Sequence, residues 1–324
     1  MHNIDLDNVL EYLKALDDAK VDAVISSSIY IIKLVKKYTK MEAHASTQLS
    51  ISNIDAVKLF EKIGADRVVL ARELTLDEIE KIRRETKIKL EVFIHGGMCA
   101  SSSGRCMLSN NTSNRDANRG GCAHSCRWNY NLYDNGKKIN PDDSYFSLSS
   151  KDLCAVNAIP RLINLGVNSF KIEGRMKSLH YIATITNSYK KLIDDYYKNN
   201  KIESFKEYQD MINKAENRLT STGFLFHEPE ESEQLFDDYN SPTKEFVGII
   251  KGYDKDKHLI HIEQRNYFLP NSILEVFTPD KSYKIKVGNI YDKDGNLLDA
   301  ARHPKQDIFI EGEEIPLYSL LRLT

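Results

Sequence analysis

The sequence predicts an α/β fold in two parts: a parallel (βα) barrel-like domain followed by a small antiparallel β-barrel domain. Two patterns and one absence carry that expectation. Over about the first 200 residues, short β-branched runs alternate with amphipathic runs of helical period, the signature of βαβ units around a parallel sheet. From about residue 241 the apolar period shortens to two, as in antiparallel strands joined by turns. No GxGxxG follows a strand run, so a dinucleotide-binding sheet gains no support and the barrel is preferred.

In the first part the strand signals fall at residues 22–26, 42–48, 67–70, 90–95 and 169–173, with a weaker one at 145–148. Helical patterns lie between them, at 6–18, Ile29–Tyr38, Ile54–Ile63, 76–86, 153–165 and Leu179–Asn199. The second helix closes on Lys36, Lys37 and Lys40, cations favoured beside the negative end of the helix dipole. The stretch 216–240 reads as a connector. Beyond it, strands are expected at 246–252, 258–263, 273–278, 284–290 and 308–311, with Asp294-Gly295 as a hairpin turn signal. Small barrels of this kind bind RNA or protein, or cover a neighbouring domain.

The 324 residues are 41% hydrophobic and 28% charged with a net charge of −2, enough to bury two cores and without the global basic excess of a nucleic-acid coat. No apolar run approaches 18 residues and no apolar segment follows a basic N-terminus, so a cytoplasmic protein without membrane contact is expected.

Four of the five cysteines, Cys99, Cys106, Cys122 and Cys126, occupy one 28-residue window at C-x6-C-x15-C-x3-C. The window is rich in Gly, Ser, Asn and Arg, which form no regular element, and it arranges the thiols to meet at a common point. Disulfides are disfavoured by the reducing cytosol and by the odd total. Zinc ribbons use closer C-x2-C knuckles, whereas iron–sulfur clusters accept irregular spacing; on spacing alone both metals stay open. The fifth thiol, Cys154, reads as a buried residue at a helix start, or, by the family resemblance set out below, as a replacement for Cys126.

In parallel α/β folds, reactive groups gather at the C-terminal ends of the strands. Here those ends carry His44, Ser46, Thr47 and Gln48, then Arg72 and Glu73, then His95, then Lys171, Glu173 and Arg175. Polar residues at so many strand ends point to one shared pocket, with the cysteine loop leaving directly from the His95 strand. Each also has a plain structural reading: Arg72 with Glu73, or Lys171 with Glu173, as ion pairs, and His44 as a hydrogen-bonded core residue.

The runs STQ at 46–48, LAREL at 70–74, EVFIHGGMC at 91–99, SGRCMLSN at 103–110, RDANRGGCAHSCRW at 115–128, SSKDL at 149–153 and KIEGRMKS at 171–178 closely resemble the U32 family, historically called U32 peptidases or collagenase-like proteases, as does ARHP at 301–304. Within it the chain looks most like the branch that hydroxylates tRNA. That resemblance implies a TIM-barrel-like catalytic domain at 1–215 with a cysteine-rich loop at 96–130, and a C-terminal barrel at 241–324. It implies an iron–sulfur cluster of the [4Fe–4S] kind on Cys99, Cys106, Cys122 and Cys126, and prephenate-dependent conversion of wobble uridine to 5-hydroxyuridine. Its implied partners are tRNA and a related U32 family protein. Family members open with further strand–helix units; five or six parallel strands here fall short of a closed eight-stranded barrel, as if the first strands were lacking.

The old peptidase name makes a chemical demand that the motifs do not meet: no GxSxG or HExxH occurs, and four clustered thiols exceed what one nucleophile needs. Oxygen insertion into uracil needs a redox cofactor, which the cluster would be. Around it, Arg105, Arg115, Arg119 and Arg127 suit RNA phosphates or the carboxylates of prephenate, or offset the cluster's own charge. Trp128, with Tyr130, suits stacking on an unpaired base, or core packing.

Overall fold

A computed structural model describes residues 3–215, 218–234 and 246–324. The chain divides into two units: residues 1–175, 192–205 and 218–240, and residues 176–191, 206–217 and 241–324. Residues 216–217 and 235–240 of the expected connector lie outside the described residues.

In the first unit, α1 (Val9–Asp18) leads into β1 (Ala23–Ser26), α2 (Ile29–Tyr38), β2 (Glu42–Ala45), α3 (Ile54–Ile63), β3 (Arg67–Val69), α4 (Leu76–Glu85) and β4 (Lys89–Gly96). Local chemistry sets these boundaries. Asn53 caps α3 through the amide of Ala56, and Thr75 and Glu78 form a capping box at the start of α4. After β4 come α5 (Leu108–Ser113), the hairpin β5 (Tyr133–Asp134) and β6 (Lys137–Lys138), then β7 (Asp152–Cys154), α6 (Ile159–Asn164), β8 (Ser169–Ile172) and β9 (Thr220–Ser221).

Strands β1 to β4 pair in parallel in that order, and β8 joins the far side of β4. β7 runs antiparallel to the end of β4 and carries β9. The sheet is therefore mixed and, among the described residues, open: nothing pairs with the outer edge of β1, where Ile25 is 49% exposed. A barrel needs its last strand bonded to its first, and that closure is not seen. Two further sequence readings change. The helix expected at 153–165 gives its start to β7, because Ala155 donates to Ile94 and Asp152 to Leu219, and α6 begins only at Pro160's turn. The weak strand at 145–148 is a single bridge between Tyr130 and Phe146.

Register sorts the parallel strands into two faces. Ala43, Ala45, Val68, Leu90, Val92 and Ile94 form one, all buried, and the helices bury Ile32, Val35, Val57, Phe60, Ile79 and Ile82. The other face carries His44, Arg67, Lys89, Glu91, Phe93, Ser169 and Lys171. A parallel sheet with one face this polar reserves that face for something other than packing.

The second unit has the first part of α7 (Leu179–Asn199), α8 (Lys206–Asn213) and eight antiparallel strands: β10 (Phe246–Asp254), β11 (Leu259–Gln264), β12 (Ile273–Phe277), β13 (Ser282–Lys286), β14 (Ile290–Tyr291), β15 (Leu297–Leu298), β16 (Asp307–Glu311) and β17 (Leu320–Leu323). Their order is β13-β12-β17-β10-β11-β16-β14-β15, with no pairing of the two ends among the described residues. The core includes Val247, Ile250, Ile262, Phe268, Val276 and Ile310. β17, unforeseen in the sequence, lies centrally between β10 and β12. Its Arg322 is buried, with Nε donating to Nε2 of His180 (2.8 Å), Nη2 to Oγ1 of Thr184 (2.6 Å) and its plane over Phe277 (4.1 Å). Burial, with the Arg322 charge behind it, pushes the His180 pKa down to about 4.

Candidate functional site

The cysteine loop is fastened onto the strand ends by a few specific contacts. Ser103, 4% exposed, is the main one: its amide and hydroxyl both donate to the Glu73 carboxylate (2.7 and 3.0 Å), its carbonyl accepts from the Ser50 hydroxyl, and its Oγ accepts from the Arg72 amide (3.4 Å). Gly104, at φ +73°, follows so closely that a Cβ there would fall 2.0 Å from the Gln48 carbonyl oxygen. The far half of the loop is held by Arg175, which donates to the Gly120 carbonyl (3.4 Å), and by an Arg119–Asp5 ion pair. Glu73, Gln48 and Arg175 thus meet the loop itself.

Arg127 lies deeper, near the carbonyl of Met98 (3.5 Å) and the fully buried Asp152 (3.7 Å). Its guanidinium fills the space beside Gly97, where a Cβ would lie 2.5 Å from Nη2. Glu173 completes this corner, its Oε2 accepting from the Gly97 amide (3.4 Å) and its Oε1 from the Arg175 amide (3.1 Å).

All five cysteines are free thiols. Cys99 keeps open surface yet is packed densely enough that desolvation pushes its thiol up, with the charges of Cys126 and Cys122 adding to this and Arg72 and Arg127 opposing it. Burial likewise raises Cys126, which feels Arg127, Cys122 and Cys106. Cys126 thus lies within electrostatic range of Cys99, Cys122 and Cys106, with Arg127 beside it and Arg72 beside Cys99. Among the described residues no group of three or more His, Cys, Asp or Glu side chains is placed to hold a metal ion. Cys154 lies on β7, opposite His95 in the ladder.

The polar sheet face forms the floor. Glu91, 5% exposed, accepts from Lys171 (2.8 Å), Ser169 (2.9 Å) and Arg67 (3.1 Å); desolvation works against its charge, but these donors outweigh it and hold the carboxyl below its ordinary value. Phe93 beside it carries Arg72 on its ring face at 3.7 Å and Lys171 at 5.5 Å. Among the described residues no carboxylate pairs with the Arg72 guanidinium. His44 is buried and bonded to Glu42 (2.9 Å), whose second oxygen takes Lys89 (2.5 Å), and these two partners lower the Glu42 pKa to about 2. His95 is 1% exposed.

The structure thus joins Gln48, Arg72, Glu73, Glu173, Arg175 and Arg127 to the loop and sets Lys171 on the floor. It places His44 in an ion-pair group lower on the sheet, where the ladder sets it beside Arg67 at the start of β3. Arg105 and Arg115 are exposed, their side chains making no hydrogen bond or ion pair among the described residues. Trp128 is 43% exposed and its ring centroid is 6.4 Å from that of Tyr130. Sequence reasoning missed Glu91, Ser103 and Asp152. Glu91 carried a signal, an acid inside an apolar strand; Ser103 and Asp152 carried none.

Residues 1–235 match the model of peptidase family U32, and residues 242–322 match the family's C-terminal domain. The chain belongs to peptidase family U32. It is 42% identical over 316 residues to tRNA hydroxylation protein P1 of Bacillus subtilis (strain 168), covering 94% of this chain and 74% of that protein. It is 30% identical over 364 residues to tRNA hydroxylation protein P of Haemophilus influenzae, covering 95% and 78%. To the 23S rRNA 5-hydroxycytidine C2501 synthase of Escherichia coli it is 37% identical over 194 residues, covering 60% and 29%. Among the described residues no helix is long and apolar enough to cross a membrane.

Proposed function

We propose that this chain is an RNA-modifying enzyme that hydroxylates tRNA, converting wobble uridine to 5-hydroxyuridine in the cytoplasm, with prephenate as co-substrate and a [4Fe–4S] cluster on Cys99, Cys106, Cys122 and Cys126. The observation that carries the reading is the four-thiol loop pinned by Ser103 and Glu73 over the strand ends, in a chain whose relatives are named for tRNA and rRNA hydroxylation. When bound, the cluster supplies the electron transfer that side chains lack. The chain's own residues do the rest. Glu73, Gln48 and Arg175 position the loop, and Arg72 and Arg127 put positive charge beside the thiolates. Arg72, over the Phe93 ring and without an acid partner among the described residues, is the cation offered to a co-substrate carboxylate.

Hydrolysis finds less support. Among the described residues Ser103 and Ser169 meet carboxylates: Ser103 is buried and spends its amide, hydroxyl and carbonyl on fastening the loop, Ser169 donates to the Glu91 that Lys171 and Arg67 already hold, and no histidine bonds to either.

The test is to express the chain in a bacterial strain stripped of its own wobble-uridine hydroxylation and analyse digested tRNA by mass spectrometry. The modified nucleoside should appear, and it should vanish with Cys99→Ser. Iron-loaded protein that leaves tRNA unmodified would refute the proposal.

A further inference from the structure

The segment after the cysteine loop is out of proportion to any structural need. Between residues 128 and 148 it exposes Trp128 (43%), Leu132 (37%), Tyr133 (63%), Ile139 (59%), Tyr145 (56%) and Phe146 (40%). Five of its residues are aromatic, counting Tyr130. Its shape is nonetheless defined, and by polar bonds rather than a core. Asn135 and Gly136, at φ +46° and +81°, make the tight turn of the β5–β6 hairpin, and Ile139 donates to Leu132 (3.0 Å). Tyr130 and Phe146 exchange both backbone hydrogen bonds (2.8 and 2.9 Å), and Asn140 ties Leu132 to Ser144 (2.7 and 2.6 Å). The arm is rooted in the cysteine loop: the Tyr130 hydroxyl donates to the Ser125 carbonyl (2.7 Å) and Ser147 to that of Cys126 (3.4 Å).

An apolar surface that is preshaped yet unburied marks a binding site. Two features choose the occupant. Beside the exposed aliphatic Leu132, Ile139 and Leu148 stand four exposed aromatic rings, and a π face is what every nucleobase can stack on. The arm itself carries Asp134, Asp142 and Asp143 against Lys137 and Lys138, so the cations that suit RNA are exposed Lys137 and, on the loop in which the arm is rooted, Arg105 and Arg115, none with a carboxylate partner among the described residues. Stacking rings beside unpaired cations are how proteins take hold of unstacked RNA.

We propose that the 128–148 arm is the RNA-gripping element of this protein, on which the unpaired bases of an anticodon loop stack, with Tyr133 and Tyr145 as its outer rings. The inference rests on the tRNA reading and adds to it where on the chain the RNA is held.

The experiment uses the full chain with fluorescence anisotropy on two probes: a 17-nucleotide anticodon stem–loop with uridine at the wobble position, and a fully paired RNA of about that length. Tyr133→Ser/Tyr145→Ser removes two rings from the solvent face, where folding is not at stake. It should weaken the stem–loop at least about fivefold, the effect of losing one stacked base, and leave the duplex unchanged. Tyr133→Phe/Tyr145→Phe should keep wild-type affinity. Stem–loop affinity unchanged in the serine variant would overturn the proposal, and so would equal loss on both probes. So would a drop in self-association by light scattering with RNA affinity intact, since the occupant would then be a second copy. Wobble hydroxylation separates the readings: if it persists in the serine variant with unchanged KM for tRNA, the arm fails and the enzyme stands, whereas if wild-type protein neither binds nor modifies tRNA, the enzyme reading itself fails.

Discussion

The contact between Ser103 and Glu73 is small and its consequences are local. Three hydrogen bonds converge on one carboxylate, and a serine amide buried without them would cost about 1–3 kcal/mol. Glu73→Ala should therefore free the first half of the cysteine loop while the sheet stays folded. In metal-free protein, Ellman's reagent should modify Cys99 and Cys106 about tenfold faster than in wild type, and Glu73→Gln should fall between. Gly104→Ala is the backbone counterpart: its Cβ would land 2.0 Å from the Gln48 carbonyl oxygen at a φ that L-residues avoid. A loss of about 2 kcal/mol is expected, read from urea midpoints at constant slope.

Among elements, the helix that opens the second unit is joined to its sheet by a neutral histidine. Nε2 of His180 accepts from Arg322 only when unprotonated, and its pKa lies at about 4 against 6.5 ordinarily. The unfolded chain takes up this proton below pH about 6.5, while the folded unit resists until about 4. The stability is therefore complete above the first value and lost as pH falls toward the second. Arg322 and Glu275 are the charged groups facing the ring, and Glu275 is itself held ionised by Lys214. Between pH 7 and pH 4.5, wild-type protein should lose about 2 kcal/mol more than His180→Gln, which keeps an acceptor without the titration. Equal losses by denaturant unfolding at the two pH values would remove His180 from the account.

For the whole molecule, the open mixed sheet has one consequence at its rim. Among the described residues β1 has an unpaired edge, with Ile25 exposed on that strand, and exposed apolar edges recruit other strands. Ile25→Lys should change stability by less than about 0.5 kcal/mol while lowering concentration-dependent association in sedimentation. Much of the architecture was legible because periodicity is a local signal: β1 to β4 and β8 fall where β-branched runs lie, and the thiols announced themselves by density. What was illegible depended on distant pairing. Asp152–Cys154 reads as a helix start until β4 and residue 219 claim its backbone, and Leu320–Leu323 looks like a tail until β10 and β12 close on it. At the site, strand-end polarity found Arg72, Glu73 and Glu173, while Ser103 stayed hidden in a serine-rich loop because nothing local marks which serine meets an acid 30 residues away.

Gly97 and Arg127 occupy what is in effect one volume, the missing side chain of the first being the berth of the second. Their mutational effects should therefore be epistatic. Gly97→Ala alone must displace a guanidinium lodged beside Asp152, but once Arg127 is shortened to alanine the same methyl meets nothing closer than Glu173 Oε2 at 3.4 Å, an ordinary contact, and a double-mutant cycle should return a coupling energy above about 0.5 kcal/mol. Heredity would then impose an order on the pair, with Gly97 free to drift only after Arg127 has changed.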